Sequence, residues 1–224
     1  MCGRRFGTPG GYGETSPKRA GLCSDRRSGG YTGLGILMFV RIALTLLLAT
    51  TSALAAGPTR VLDLDGRAVN PLIPAPGTVA TVLVFATTDC PIANRYAPEI
   101  QRLASRFGAR VRFVLVYPVA ADTAAVVRDH LEKFSYSIDA VRDTAQELVK
   151  HTGVLVTPEV AVLDGGARVR YRGRIDDRYI EFGKDRPEPS ERDLERALEA
   201  VTAGRPVAVR ETRAVGCFLA DLVK

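Results

Sequence analysis

Cys90 lies in the stretch Phe85-Ala-Thr-Thr-Asp-Cys90-Pro91-Ile-Ala-Asn-Arg-Tyr-Ala-Pro98-Glu99, where an apolar run gives way to a helix-forming segment. The run Val79 to Phe85 is unbroken and rich in β-branched residues, the pattern of a buried strand. Pro91 suits the first turn of a helix, where its missing N–H has no partner to lose. A cysteine at that junction meets unpaired backbone N–H groups and the positive end of the helix dipole. Both favour the thiolate, the form that attacks disulfides and peroxides. Asp89 beside it works in the opposite sense, because a neighbouring negative charge raises a thiol pKa. The segment Cys-Pro-Ile-Ala has Ala93 where a Cys-x-x-Cys dithiol would carry its second cysteine.

Three more cysteines exist, Cys2, Cys23 and Cys217, and the first two fall in what reads as a leader. Arg41, the apolar run Ile42 to Ala49 and the small residues Ala53-Leu-Ala55 have the layout of a secretion signal with its cleavage site. Met38 sits where such a signal would start. Residues 1–37, rich in Gly, Arg and Ser without apolar periodicity, read as a disordered extension or a misassigned start. Residues 38–55 then form the signal, and 56–224 form one domain. The apolar run is too short for a comfortable membrane span, so no stable insertion is expected once the signal is cleaved.

Cleavage after Ala55 leaves 169 of the 224 residues, enough for one domain with a full core. The leader takes seven of the 31 Lys and Arg and two of the 25 Asp and Glu. The remaining 24 basic and 23 acidic residues give a net charge near +1, and the +6 of the whole chain is no argument for a nucleic acid partner. The destination is the periplasm or the outside of the cell. In that oxidising setting Cys90 and Cys217 are the two cysteines left to pair.

The rest of the chain alternates strand and helix patterns. Arg60–Leu64 is a short strand ending at Asp65-Gly66, and Pro71–Gly77 is a loop. Pro91–Phe107 reads as a helix bent at Pro98. Val111–Tyr117 is a buried strand, and Thr123–Phe134 an amphipathic helix with Asp122 as its cap. Ser137–Ile138 is a brief strand, and Asp143–Lys150 a helix stopped by Gly153. Val154–Leu163 reads as two strand pieces joined through Pro158. Asp164-Gly-Gly then turns into a returning strand, Val169–Ile175. A polar connection follows at Arg178–Pro189, then a helix at Ser190–Thr202 capped by Ser190, and a tail that carries Gly216-Cys217. This order predicts an α/β domain with a central mixed sheet, a C-terminal antiparallel hairpin and helices on both faces.

At this point the chain resembles the thioredoxin superfamily, in its redoxin branch, which includes the alkyl hydroperoxide reductase/thiol-specific antioxidant group and the exported TlpA-like proteins. The resemblance rests on strand–Cys90–helix with Pro98 eight residues on, on Val156-Thr157-Pro158, and on the strand and hairpin Glu159-Val-Ala-Val-Leu-Asp164-Gly. It covers about residues 60–203 and implies a thioredoxin-like fold. It also implies that Thr157-Pro158 is the cis-proline loop facing the active cysteine. There the backbone of Thr157 would pair with an incoming peptide. Thr87-x-x-Cys90 matches the peroxiredoxin Thr-x-x-Cys, with Leu83 where that motif has proline, and Arg95 and Arg172 are the arginines on offer for a peroxide.

The expected activity is that of an exported thiol–disulfide oxidoreductase with Cys90 as nucleophile. Thr87, Thr157 and Pro158 would hold the substrate, a disulfide or thiol protein. Cys217 has two readings: a resolving thiol for Cys90, or one end of a permanent bridge across more than 120 residues. A peroxiredoxin-like peroxidase acting on hydroperoxide is the first alternative. A redox-inert binding module stapled by Cys90–Cys217 is the second. No cofactor is implied. His130 and His151 have no ligand partners at metal-binding spacing, and the Cys-x-x-x-Cys pair of thioredoxin-fold copper chaperones is absent. Arg168, Arg170, Arg172 and Arg174 alternate along one strand and read as a solvated, ion-paired face rather than a docking surface.

Overall fold

The computed structural model describes residues 61–219, and the segments expected at 1–37 and 38–55 lie outside them. Seven strands make one mixed sheet: β1 (Val61–Asp63), β2 (Ala68–Val69), β3 (Ala80–Phe85), β4 (Val111–Tyr117), β5 (Asp139–Arg142), β7 (Glu159–Asp164) and β8 (Val169–Gly173). Their spatial order is β2-β1-β5-β4-β3-β7-β8. The strands β3, β4 and β5 run parallel, while β7 lies antiparallel to β3 and β8 antiparallel to β7. Every residue of β3 is buried, which explains why that strand is apolar throughout instead of alternating.

Helices cover both faces. Val82 and Val84 of β3 pack with Ile100 and Leu103 of α2 (Ala97–Phe107), Val127 of α3 (Ala124–Lys133), and Leu194, Ala197 and Leu198 of α5 (Asp193–Thr202). Leu83 and Phe85 point the other way, against Leu148 and Val149 of α4 (Glu147–Thr152). The three-and-four spacing on the helices and the two-residue alternation on β3 build both cores.

The helix expected at 91–107 is two helices, α1 (Pro91–Arg95) and α2, broken at Tyr96. Pro98 sits in the first turn of α2 and has no N–H to return to the carbonyl of Asn94, so the chain restarts instead of bending. Several local expectations shift. Thr123, not Asp122, caps α3 by accepting the Val126 N–H, while Asp122 accepts from the Thr88 hydroxyl at 2.6 Å. The strand expected at Ser137–Ile138 forms instead at Asp139–Arg142, where it gains β4 and β1 as neighbours. Helix α4 starts at Glu147, not Asp143. The Asp143 carboxylate stays outside it and accepts the N–H groups of Glu147, Leu148 and Val149.

Ser190 does not cap α5, which begins at Asp193 behind Arg192. The Ser190 N–H donates to Asp177. The connection after β8 contains a small hairpin of β9 (Tyr179–Glu181) and β10 (Lys184–Asp185). The four arginines do not share one face. Gly173, at φ +144°, ends β8; Arg174 pairs with Asp193 of α5, while Arg172 reaches Glu211 and the Gly153 carbonyl. All four are in ion pairs, Arg168 and Arg170 with Asp164, but only Arg168 is well exposed, so the single solvated face expected from the alternation does not form.

Two short strands lie outside the main sheet and pair with each other: β6 (Val156–Thr157) and β11 (Cys217–Phe218). The tail reaches β6 from the free edge of β8. The Arg172 N–H donates to the Arg210 carbonyl and the Thr212 N–H to the Arg172 carbonyl, while the Thr212 hydroxyl meets the Tyr171 hydroxyl at 2.7 Å. Gly173 is required at this crossing, because a Cβ there would fall on Thr212. Among the described residues no helix is long and apolar enough to cross a membrane.

Candidate active site

The sheet register brings the sequence-predicted residues together. Phe85, the last residue of β3, pairs with Glu159, the first of β7, so the residues just after β3 face those just before β7. Thr87 and Cys90 belong to the first set, and Thr157 and Pro158 to the second. The Thr157–Pro158 peptide is cis. The hydroxyls of Thr87 and Thr157 lie 3.4 Å apart, and the Cys90 thiol donates to the Thr157 carbonyl at 3.1 Å.

Cys90 is the N-cap of α1, with extended backbone and Pro91 following. Its carbonyl accepts the Asn94 N–H at 3.0 Å. The residue is 1% exposed, so solvent reaches it poorly in this state. What covers it includes the tail. Cys217, half-buried, donates its thiol to the Cys90 sulfur across 2.8 Å, although the two residues are 127 apart in sequence. Burial pushes the Cys217 thiol up to about 12, helped by its hydrogen bond to Cys90 and the nearby Asp89 carboxylate.

The tail can come this close because residue 216 is glycine. A Cβ on Gly216 would fall on the Thr157 carbonyl. Cys217 sits directly opposite Thr157 in the β6–β11 pair, and the Leu219 N–H donates to the Leu155 carbonyl at 3.1 Å. Leu219 is buried in the core on the α4 side, while Phe218 between it and Cys217 points outward.

Beneath the Cys90 loop runs a chain of side chains that sequence reasoning missed. The Tyr117 hydroxyl lies 2.9 Å from His130 Nδ1, His130 Nε2 lies 2.7 Å from Asn94 Oδ1, and Asn94 Nδ2 donates to the Thr88 carbonyl. The pattern is satisfied by a neutral imidazole that accepts from Tyr117 and donates to Asn94. Burial holds the His130 pKa below its ordinary 6.5, in keeping with that form. The chain fixes the loop two residues before the sulfur. Nothing local marks it in the sequence, because residues 94, 117 and 130 come from α1, the end of β4 and α3.

Arg95 and Arg172 are both engaged elsewhere. Arg95 pairs with Asp185 at 3.3 Å and lies over the Tyr179 ring. Arg172, with Glu211 and the Gly153 carbonyl, is held on the α4 side beside Glu159. His151 contacts the Ala167 carbonyl at 2.9 Å. Among the described residues no group of three His, Cys, Asp or Glu is arranged to hold a metal ion.

The family described as Redoxin matches residues 53–184. Among solved structures, an uncharacterized conserved protein from Geobacillus kaustophilus is 25% identical with a TM-score of 0.61, covering 71% of this chain and 86% of that one. A hypothetical protein from Sinorhizobium meliloti 1021 is 21% identical with a TM-score of 0.60, covering 71% of this chain and 88% of its own. No curated protein matches.

Proposed function

This chain belongs to the Redoxin family, and from that premise we propose that it is an exported thiol–disulfide oxidoreductase whose working couple is Cys90 and Cys217. Oxidoreductase chemistry in general follows from the family; the residues, the direction and the compartment are our reading. One observation carries it. A thiol from the far end of the chain lies 2.8 Å from a cysteine placed between a strand end and a helix start, against the Thr157–Pro158 loop. Export is supported by the signal-like segment 38–55, which leaves 56–224 as the working domain.

In the reductive direction Cys90 loses its proton and its sulfur attacks one sulfur of a substrate disulfide. That S–S bond breaks, one substrate thiolate leaves and takes up a proton, and Cys90 is joined to the other substrate sulfur. Cys217 then loses its proton and attacks the Cys90 sulfur of the mixed disulfide, which expels the second substrate thiol. The substrate gains two electrons and two protons, and the chain is left with a Cys90–Cys217 disulfide. An external dithiol resets it by the same two steps. Thr87, Thr157 and Pro158 line the approach.

The test is the reduction potential of the pair with the products of two variants. A potential above about −300 mV marks a working couple, and one well below it marks a structural bridge and a redox-inert module. Cys90→Ser should abolish turnover of a disulfide substrate, whereas Cys217→Ser should accumulate the mixed disulfide. If Cys90→Ser keeps turnover, the assignment is wrong. The peroxidase reading has less support, because Arg95 and Arg172 are committed to other partners. It would require sulfenic acid to form at Cys90 on adding hydroperoxide faster than at a free thiol.

A further inference from the structure

We infer that strand β11 is a resident peptide in the substrate site, and that its sequence states what the site accepts: an extended polypeptide with a small residue before the reactive cysteine and an apolar residue two positions after it. This rests on the oxidoreductase reading and extends it to substrate choice. The tail meets every requirement of an incoming disulfide-bonded segment. It is extended, it pairs antiparallel with the short strand β6, and it presents a sulfur to the Cys90 sulfur.

The selectivity follows from the same contacts. The position before the cysteine has no room for a side chain, since a Cβ on Gly216 would fall on the Thr157 carbonyl and crowd the Pro158 nitrogen. The position after it is open, because Phe218 is 78% exposed. The next position is closed and apolar, because Leu219 is 5% exposed among Leu148, Val149, Val154 and the β3 side chains of that face. The main-chain pairing with β6 is indifferent to sequence, as it is whenever an extended peptide pairs with a strand. Specificity then falls on the two flanking pockets.

A substrate must displace β11 to reach Cys90. The strand is two residues long, and the tail is anchored upstream of it by Arg210 and Thr212 on β8. The segment from Arg213 on is therefore the part free to leave. After the mixed disulfide forms it remains tethered beside the site, ready to return with Cys217.

Full-length Cys217→Ser protein and the Gly216→Val/Cys217→Ser double variant supply the test, with three hexapeptides activated as thionitrobenzoate mixed disulfides. One copies residues 215–220, one has Val in place of the Gly, and one has Asp in place of the Leu. The Cys90 thiolate attacks the peptide sulfur, thionitrobenzoate leaves as the coloured thiolate, and tryptic mass spectrometry locates the adduct on Cys90. The copied peptide should react about tenfold or more faster than the other two, the size of effect that a misfit in a tight pocket produces. The double variant, whose tail no longer seats, should take up the copied peptide faster than Cys217→Ser does. Equal rates for the three peptides, or equal rates in the two proteins, would overturn the inference while leaving Cys90 a working nucleophile. No reaction at Cys90 with any peptide would instead remove the oxidoreductase reading. If Gly216→Val does not fold, Leu219→Asp unseats the tail from its other contact and replaces it.

Discussion

At the scale of single residues, the buried polar groups near the site make the sharpest demands. His130 is held neutral by burial, so its pKa in the folded chain lies below the ordinary 6.5. Above that pH both states are neutral and the Tyr117–His130–Asn94 chain contributes fully. As the pH falls below 6.5, the unfolded chain takes up a proton that the fold resists, and stability declines. Asp143 has the opposite sign. Burial pushes its carboxyl up to about 6, so its contribution is full below the unfolded value and is lost as the pH rises through 6. Comparing urea midpoints of the native chain and His130→Gln across this range isolates the histidine: the native chain should lose more on acidification, and parallel curves would refute the assignment. Asp143→Ala, which strands three backbone N–H groups at the start of α4, should cost about 2–3 kcal/mol in the same measurement.

Elements fix where those residues can be. The break at Tyr96 makes α1 a five-residue helix, a shorter one than the sequence suggested behind Cys90. The sulfur's environment is thus set more by the Thr157 carbonyl and by Cys217 than by a long helix dipole. On the other side, α4 ends at Gly153, whose φ of +73° disfavours any side chain, and a Cβ there would also have to push aside the Arg172 guanidinium. Gly153→Ala should cost about 1–2 kcal/mol from the left-handed backbone alone. An unchanged urea midpoint would show that the loop leading to β6 relaxes at no cost. That loop matters because β6 is the strand on which both the tail and an incoming peptide would pair.

For the whole molecule, the pairing of Cys90 with Cys217 connects points 127 residues apart. Oxidation should raise the stability of the domain by up to about 4–5 kcal/mol in the chain-entropy description, and the gain should vanish in Cys217→Ser. Equal denaturation midpoints for the oxidised and reduced native chain would show that the bridge does not form. The tail adds no strand to the main sheet. It crosses the β8 edge on main-chain bonds and ends on β6, so its contribution lies in what it covers.

Much of this was legible in the order of residues. The continuous β-branched run marked β3 because a strand buried on both faces needs no alternation, the alternation of Val111–Tyr117 marked β4, and Gly153 marked the end of α4 because few other residues take its φ of +73°; in the turn after Asp164 the left-handed residue is Ala167, at φ +59°. Cys90, Thr157 and Pro158 could be grouped through the resemblance to the thioredoxin superfamily, and the antiparallel register of β3 against β7 then brings them together. What remained hidden depends on groups far apart in sequence. The chain through His130, the distant partners of Arg172 and Arg174 and the landing of Gly216 on Thr157 are each chosen by a neighbour that only the folded backbone supplies. Local chemistry singled out Cys90 as the candidate sulfur, and tertiary packing decided that the tail should lie on it, because contact across 127 residues is a property of how distant strands meet rather than of any segment read alone.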